Sequence, residues 1–405
     1  MKYIRLGIVF LVPLAFIFSQ CFRKNKVTDP RGDNYAGSAS CVKCHKNIYQ
    51  SYLHTAHYLT SRPASQSTKH GSFNPDSNIV ILNNGVKVMM EKHQNGLYQA
   101  SYTNGKLTQK QRFDITFGSN RGETFLYWKN NRVYQMPITY YINLHQWANS
   151  PGYSSDSANF SRLISTRCFE CHSSYIQNIQ NDTGLTVNKE LLDKNSLILG
   201  IDCERCHGPG ASHVNFHTQN PEEKRPMYIT KISSLTRAQR IDHCSACHAG
   251  NTSIMTRSTF DFKPGDTLAN FSSGEPFHRF QDAANVDVHG NQVKLLSSSK
   301  CFMSSKIECA TCHNIHANEV KSVKLYSSRC TSCHSEANHN FCKMAIQLGQ
   351  AINSNCIDCH MPVKTSNAIV INGAGKQITS PFLARTHLIA IYPEESKKFM
   401  ALLKR

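Results

Sequence analysis

No stretch of this 405-residue chain is apolar for long enough to make a conventional spanning helix. The most prominent run, Leu6 to Phe18, has thirteen residues, where about 20 are needed. What remains is the size of a signal-peptide core, preceded by the basic residues Lys2 and Arg5. Acidic residues are also scarce, 27 against 45 Lys and Arg, for a formal charge of +18. Such a surplus usually indicates a nucleic acid or an acidic partner, but the chain carries no nucleic-acid motif, and binding to DNA or RNA is not expected. From Ser161 onward sustained apolar periodicity is missing as well. Long amphipathic helices packed on an ordinary core are therefore excluded there.

Cysteine, by contrast, is abundant: there are 17. Fourteen of them fall in seven copies of Cys-x-x-Cys-His, at Cys41, Cys44 and His45; Cys168, Cys171 and His172; Cys203, Cys206 and His207; Cys244, Cys247 and His248; Cys309, Cys312 and His313; Cys330, Cys333 and His334; and Cys356, Cys359 and His360. Chance placement at this composition would give about 0.04 copies, and the pattern is that of covalent haem c attachment. Two thiols three residues apart lie on one side of a helical turn, where they can form thioethers with one porphyrin edge. The adjacent histidine then serves as the proximal iron ligand. Zinc knuckles or disulfides would explain paired cysteines, but neither gives a reason for a histidine after every pair. Seven haems bring fourteen propionates. These lower the formal charge to about +4 with ferrous hearts and about +11 with ferric ones, so much of the basic excess is expected to neutralise propionates.

Haem attachment of this kind and the cysteine count fit the outside of a bacterial cytoplasmic membrane better than a reducing cytosol. Phe18-Ser19-Gln20-Cys21 resembles a loose lipoprotein box. Cys21 is thus a candidate lipid anchor, holding the protein on the periplasmic or cell-surface side, with ordinary signal cleavage or an uncleaved anchor as the alternatives. The organisation expected is a signal peptide at 1–20, a basic tether at 21–35 and a first haem-binding segment at 36–74. A β-rich insertion at 75–160, a six-haem core at 161–392 and a terminal helix at 393–405 follow. The insertion reads as an antiparallel meander near residues 78–141, with strands at Ile79–Leu82, Val86–Met90, Leu97–Tyr102, Thr124–Trp128 and Val133–Met136. Asn84-Gly85, Asn95-Gly96 and Asn104-Gly105 are its hairpin turns. A helix is expected from Ser234 to Asp242 and another from Pro393 through Leu403. The fold class is therefore read as mostly α with extensive loops, a core organised by stacked haems and one small antiparallel β insertion.

The segments Cys41 to His57, Cys203 to His213, Cys309 to His316 and Cys356 to Pro362 resemble the cytochrome c-552/c-554 class, over roughly residues 36–392. That class is related to the pentahaem nitrite reductases and octahaem hydroxylamine oxidoreductases. The resemblance implies closely stacked, mostly bis-histidine haems and electron transfer, in a family that also contains enzymes. Thirteen histidines lie outside the motifs, enough to give every iron a second imidazole. His57, His213, His316 and His387 sit at family-like positions. His289 and His339 come next, and His54, His145 or His243 could supply the seventh. Cys301 and Cys342 could pair as a disulfide or remain free.

Three functions are consistent with this reading. The first is a seven-haem electron carrier serving redox-protein donors and acceptors, a quinol-linked membrane complex among them. The second is an oxidoreductase acting on nitrite, hydroxylamine or tetrathionate at one five-coordinate haem. The third is a haem-bearing structural subunit of a respiratory complex. Related nitrite reductases mark the catalytic haem with Lys in place of the motif histidine, and no Cys-x-x-Cys-Lys occurs here. That favours the carrier, with no catalytic residue assigned.

Overall fold

A computed structural model of the chain describes residues 28–66, 70–180, 190–250, 253–273, 282–284, 290–319, 322–338, 340–372 and 379–403. The signal segment and Cys21 lie outside the described residues, as do His289 and His339.

Strands dominate the first half. They are β1 (Ser61–Pro63), β2 (Ile79–Ile81), β3 (Lys87–His93), β4 (Gly96–Thr103), β5 (Lys106–Arg112), β6 (Ile115–Phe117), β7 (Gly122–Lys129), β8 (Arg132–Tyr141), β9 (Gln146–Asn149) and β10 (Arg162–Ile164). One antiparallel sheet has the order β2-β3-β4-β5, and a second has the order β1-β6-β7-β8-β10 with β9 also paired to β8. The β4–β5 turn places Asn104 at φ 51° and Gly105 at φ 77°, the left-handed pair that a tight hairpin requires.

The two sheets share one core, in which Val88 and Met90 of the first meet Phe125, Met136 and Ile138 of the second. Buried Gln99 joins them across it. Its amide donates to the Ile138 carbonyl at 2.9 Å and its oxygen accepts the Ile138 N–H at 3.1 Å. Those bonds satisfy backbone that would otherwise be stranded in an apolar interior.

The other face of the larger sheet buries Ile115, Phe117, Leu126 and Val133 against Phe169, Ile176 and Leu192. Phe169 belongs to the second haem motif, so the sheet is a wall against which that motif is built. Three further hairpins follow: β11 (Ser173–Asn178) with β12 (Leu192–Leu199), β13 (Ile254–Met255) with β14 (Ser272–Ser273), and β15 (Val363–Asn372) with β16 (Thr379–Arg385).

This overturns the expectation of a mostly α molecule with one small β insertion. Among the described residues, strands form two packed sheets and three two-stranded sheets, distributed from Ser61 to Arg385. The physical reason lies in burial. From Met136 to Tyr141, β8 is buried on both faces, so it reads as a continuous apolar run without alternation. At the other extreme, β5 is Lys-Leu-Thr-Gln-Lys-Gln-Arg, an exposed edge strand with little apolar signal.

The helices are short: α1 (Lys46–Tyr52), α2 (Thr166–His172), α3 (Cys203–His207), α4 (Ala211–Gln219), α5 (Arg237–His248), α6 (Gln292–Ser297), α7 (Lys300–Ser304), α8 (Cys309–Cys312), α9 (Val323–Thr331), α10 (Ala345–Leu348), α11 (Cys356–His360) and α12 (Pro393–Leu403). The helix expected from Ser234 begins at Arg237 instead, where Thr236 and Gln239 close a capping box, and it continues through the motif to His248. Among the described residues no helix is long and apolar enough to cross a membrane.

Candidate haem sites

Each motif is held on a short helical turn. Site 2 (Cys168 to His172) lies on α2, site 3 (Cys203 to His207) on α3, site 4 (Cys244 to His248) at the end of α5 and site 7 (Cys356 to His360) on α11. Site 5 (Cys309 to His313) starts on α8, site 6 (Cys330 to His334) on the last turn of α9, and site 1 (Cys41 to His45) on a 3-10 turn at Ser38–Lys43. No disulfide joins any of the sixteen cysteines from Cys41 onward, Cys301 and Cys342 included. Among the described residues no cluster of three or more His, Cys, Asp or Glu converges as a metal cage.

The decisive geometry concerns imidazoles. His45 faces His213 with ring centroids 6.4 Å apart and planes at 14°, and His207 faces His316 at 6.0 Å and 14°. His313 faces His387 at 6.3 Å and 26°, while His57 and His248 stand 6.0 Å apart with planes crossed at 86°. An imidazole nitrogen bonds a first-row metal at about 2 Å. Two imidazoles on opposite sides of one iron therefore have centroids roughly 6.3 Å apart. All four pairs match that spacing. Four motif histidines and the four family-positioned ones are thus brought together two by two. Burial pushes His57 and His387 down to about 4, helped by neighbouring imidazoles. It keeps them neutral, the form in which a ring nitrogen can bind metal.

Local sequence explains how these rings meet. The His57 segment is pinned to site 3 by the Ile201 N–H donating to the His57 carbonyl at 3.0 Å, and by the Gly200 N–H donating to Ser61 Oγ at 2.8 Å. Gly200 has φ 69°, and a Cβ there would lie 2.2 Å from the Tyr58 carbonyl oxygen, so only glycine permits the approach. Glu204, inside the site 3 motif, is buried. It accepts the backbone N–H groups of Ala36, Gly37 and Gly210 at 2.7 to 2.9 Å. Arg31 adds a bond to Glu204 at 3.2 Å and one to Asp202 at 2.8 Å. One carboxylate thereby ties together the site 1 loop, the site 3 helix and the start of α4, which presents His213. Sequence reasoning missed Glu204, because a charged residue between two haem cysteines gives no sign of being interior.

The remaining candidates are placed differently. His54 and His145 are exposed. His243 is inside, its ring 6.0 Å from Phe262 and its Nδ1 unpartnered among the described residues. The His172 ring stacks on Phe117 at 4.6 Å.

Thiols of different motifs also touch. Cys41 contacts Cys203, Cys171 contacts Cys247, Cys244 contacts Cys309, and Cys330 contacts Cys356. Cys206 lies within electrostatic range of Cys247, and Cys312 within range of Cys330. The seven motifs consequently form one connected network in which site 4 borders sites 2, 3 and 5.

A fold of strand-walled helical turns, with thiol pairs beside facing imidazoles, defines a multihaem c-type cytochrome. Comparisons agree: residues 144–208 match the family model described as cytochrome c554 and c-prime. The chain is 23% identical over 212 residues to the C-type polyheme cytochrome OmcB of Geobacter sulfurreducens, an alignment covering 43% of this chain and 25% of OmcB. It is 23% identical over 207 residues to the multiheme cytochrome MtrA of Shewanella baltica, covering 50% and 47%. The chain thus spans less than half the length of these relatives. The crystal structure of the outer cell wall cytochrome OcwA superposes with a TM-score of 0.54 at 14% identity, over 90% of this chain and 82% of that one. That likeness concerns the fold alone.

Proposed function

We propose that the chain carries seven haems c and passes electrons between redox partners outside the cytoplasmic membrane. The observation that carries this reading is the set of four imidazole pairs at 6.0 to 6.4 Å, joined through abutting motif thiols. Each haem, when bound, supplies one reversible ferric–ferrous electron. The chain's residues do the rest. Cys41, Cys44 and their counterparts through Cys359 would anchor the porphyrins, and the seven motif histidines would ligate the irons. His57, His213, His316 and His387 would serve as second ligands of four irons, and His289 and His339 of two more. An iron with imidazole on both sides has no open position for a substrate, and it changes charge with little rearrangement of its ligands. Lipidation at Cys21 would hold the carrier beside a membrane donor or acceptor.

The test is made on purified protein. Intact mass after acid and organic extraction should exceed the apo-chain by seven porphyrins. The oxidised form should show only low-spin paramagnetic resonance signals, and the reduced form should bind no stoichiometric carbon monoxide. A high-spin haem at full stoichiometry, with turnover of nitrite, hydroxylamine or tetrathionate, would replace the carrier by an enzyme. Cys21→Ala should release soluble, haem-loaded protein from membranes, and equal solubility of both versions would remove the anchor.

A further inference from the structure

The motif histidines differ in what meets their second ring nitrogen. Nδ1 of His360 donates to the Ala390 carbonyl at 2.8 Å and Nδ1 of His334 to the Asn340 carbonyl at 3.2 Å. His248 Nδ1 meets the Gln292 side-chain oxygen at 3.3 Å, and His172 Nδ1 lies 3.1 Å from the Thr60 hydroxyl. His313 meets a carboxylate: its Nδ1 lies 3.3 Å from Glu319 Oε2. A carboxylate only accepts, so Nδ1 carries the proton and Nε2 is left to ligate. Glu319 is fixed in place, with a side chain 12% exposed. The Asn314 N–H donates to its Oε1 at 2.8 Å, and the Tyr326 hydroxyl donates to its Oε2 at 3.2 Å.

We propose that Glu319 is a positioning residue that makes the haem held by Cys309, Cys312 and His313 more reducing than its neighbours in the network. The inference rests on the multihaem reading above. A carboxylate that accepts from the ligand's N–H makes the imidazole a stronger donor and orients the ring. Its negative charge also favours ferric over ferrous iron, since the ferric porphyrin core carries one more positive charge. The ring nitrogens of His172, His248, His334 and His360 meet neutral oxygens, which as acceptors act in the same direction but more weakly.

Location gives the effect a purpose. Site 5 touches site 4 through Cys309 and Cys244, and approaches site 6 through Cys312 and Cys330. It therefore stands between the group of sites 1 to 4 and the pair of sites 6 and 7. An electron crossing leaves a ferrous site 4, which becomes ferric, and makes the site 5 iron ferrous. It then passes to site 6, returning site 5 to ferric. If site 5 is the most reducing of the three, that crossing is an uphill step, and electrons pool on either side of it.

The experiment is a spectropotentiometric titration of holoprotein, followed optically and by paramagnetic resonance, for wild type, Glu319→Gln and Tyr326→Phe. Glu319→Gln keeps the shape and removes the charge, so one midpoint should move to more positive potential, with a changed resonance signal for the same haem. Tyr326→Phe removes a donor that competes for Oε2, so the same midpoint should move the opposite way. Opposed shifts of one haem are not what loosened packing produces. Midpoints unchanged in both variants, or moved in the same direction by both, overturn the proposal. Should Glu319→Gln fail to mature, an unmoved midpoint in Tyr326→Phe overturns it alone. A wild-type mass short of seven porphyrins would instead count against the multihaem reading, which these midpoints do not test.

Discussion

The two-sheet region and the haem-bearing remainder are held together by different means. In the sheets, Val88, Met90, Leu126, Met136 and Ile138 are fully buried, and Phe113 stacks on Phe125 with centroids 4.2 Å apart. That is a hydrophobic core of the usual kind, assembled from side chains alone. Across the haem sites burial is scattered: α4 and α8 have no buried residue and α1 has only Tyr52, while α5 and α6 contribute Ala246 and Leu295 to two small clusters. Their order comes from paired imidazoles, from polar ties such as Glu204, and from the porphyrins their cysteines anchor. One part of the chain carries its own core, and the other is completed by its cofactor.

The comparison breaks most visibly if haem is withheld. Chain produced without haem attachment should lose slow amide exchange across sites 3 to 7 while β3, β4, β7 and β8 keep theirs, as measured by hydrogen–deuterium exchange. Equal protection in both regions would show that the helical turns fold unaided. The converse cut is Phe125→Ala, which should cost the sheets about 3–5 kcal/mol and leave the haem spectrum unchanged. A third change acts on one iron at a time: His213→Ala or His316→Ala should convert one low-spin haem to high spin while six stay as they were. In the intact protein, the crossed His57–His248 pair should give a low-spin signal distinct from the three near-parallel pairs, because crossed ligand planes leave two iron orbitals close in energy. The smallest effect is expected at Glu91. Burial opposes its ionisation, but hydrogen bonds from Lys110, Tyr102 and His93 outweigh that and hold it down to about 2. Its contribution is present above about pH 4.5 and is lost as the pH falls toward 2. Glu91→Gln should remove that acid dependence from the sheet region at a cost of about 1 kcal/mol or less.

Legibility in the sequence follows the same division. The haem motifs could be read because covalent attachment demands fixed residues at fixed spacing. His57, His213, His316 and His387 could be chosen because each lies close to a motif or at a position that resembles the family. Strands β3, β4 and β7 were visible through alternation and Asn-Gly turns. Strand β5 was not, because it is an exposed edge strand with little apolar signal, and β11 and β12 were not, because register shifts interrupt their pairing. Most of the groups that orient ligand rings, among them the Met227 carbonyl on His213 Nδ1 at 2.7 Å, the Ala390 carbonyl and Gln292, lie far along the chain from their histidines. No local pattern announces them.

Each facing pair of imidazoles also joins stretches of chain that are synthesised far apart. His45 waits for His213, His57 for His248, His207 for His316, and His313 for His387. Under the proposed ligation, porphyrins could be attached in any order, yet no iron held by these four pairs would be fully ligated until the later histidine of its pair arrives. Each closure also removes a long loop from the unfolded ensemble. Maturation therefore has a direction written into the topology. On that ligation sites 1 and 4 would close first as the chain emerges, and site 5 would wait for His387.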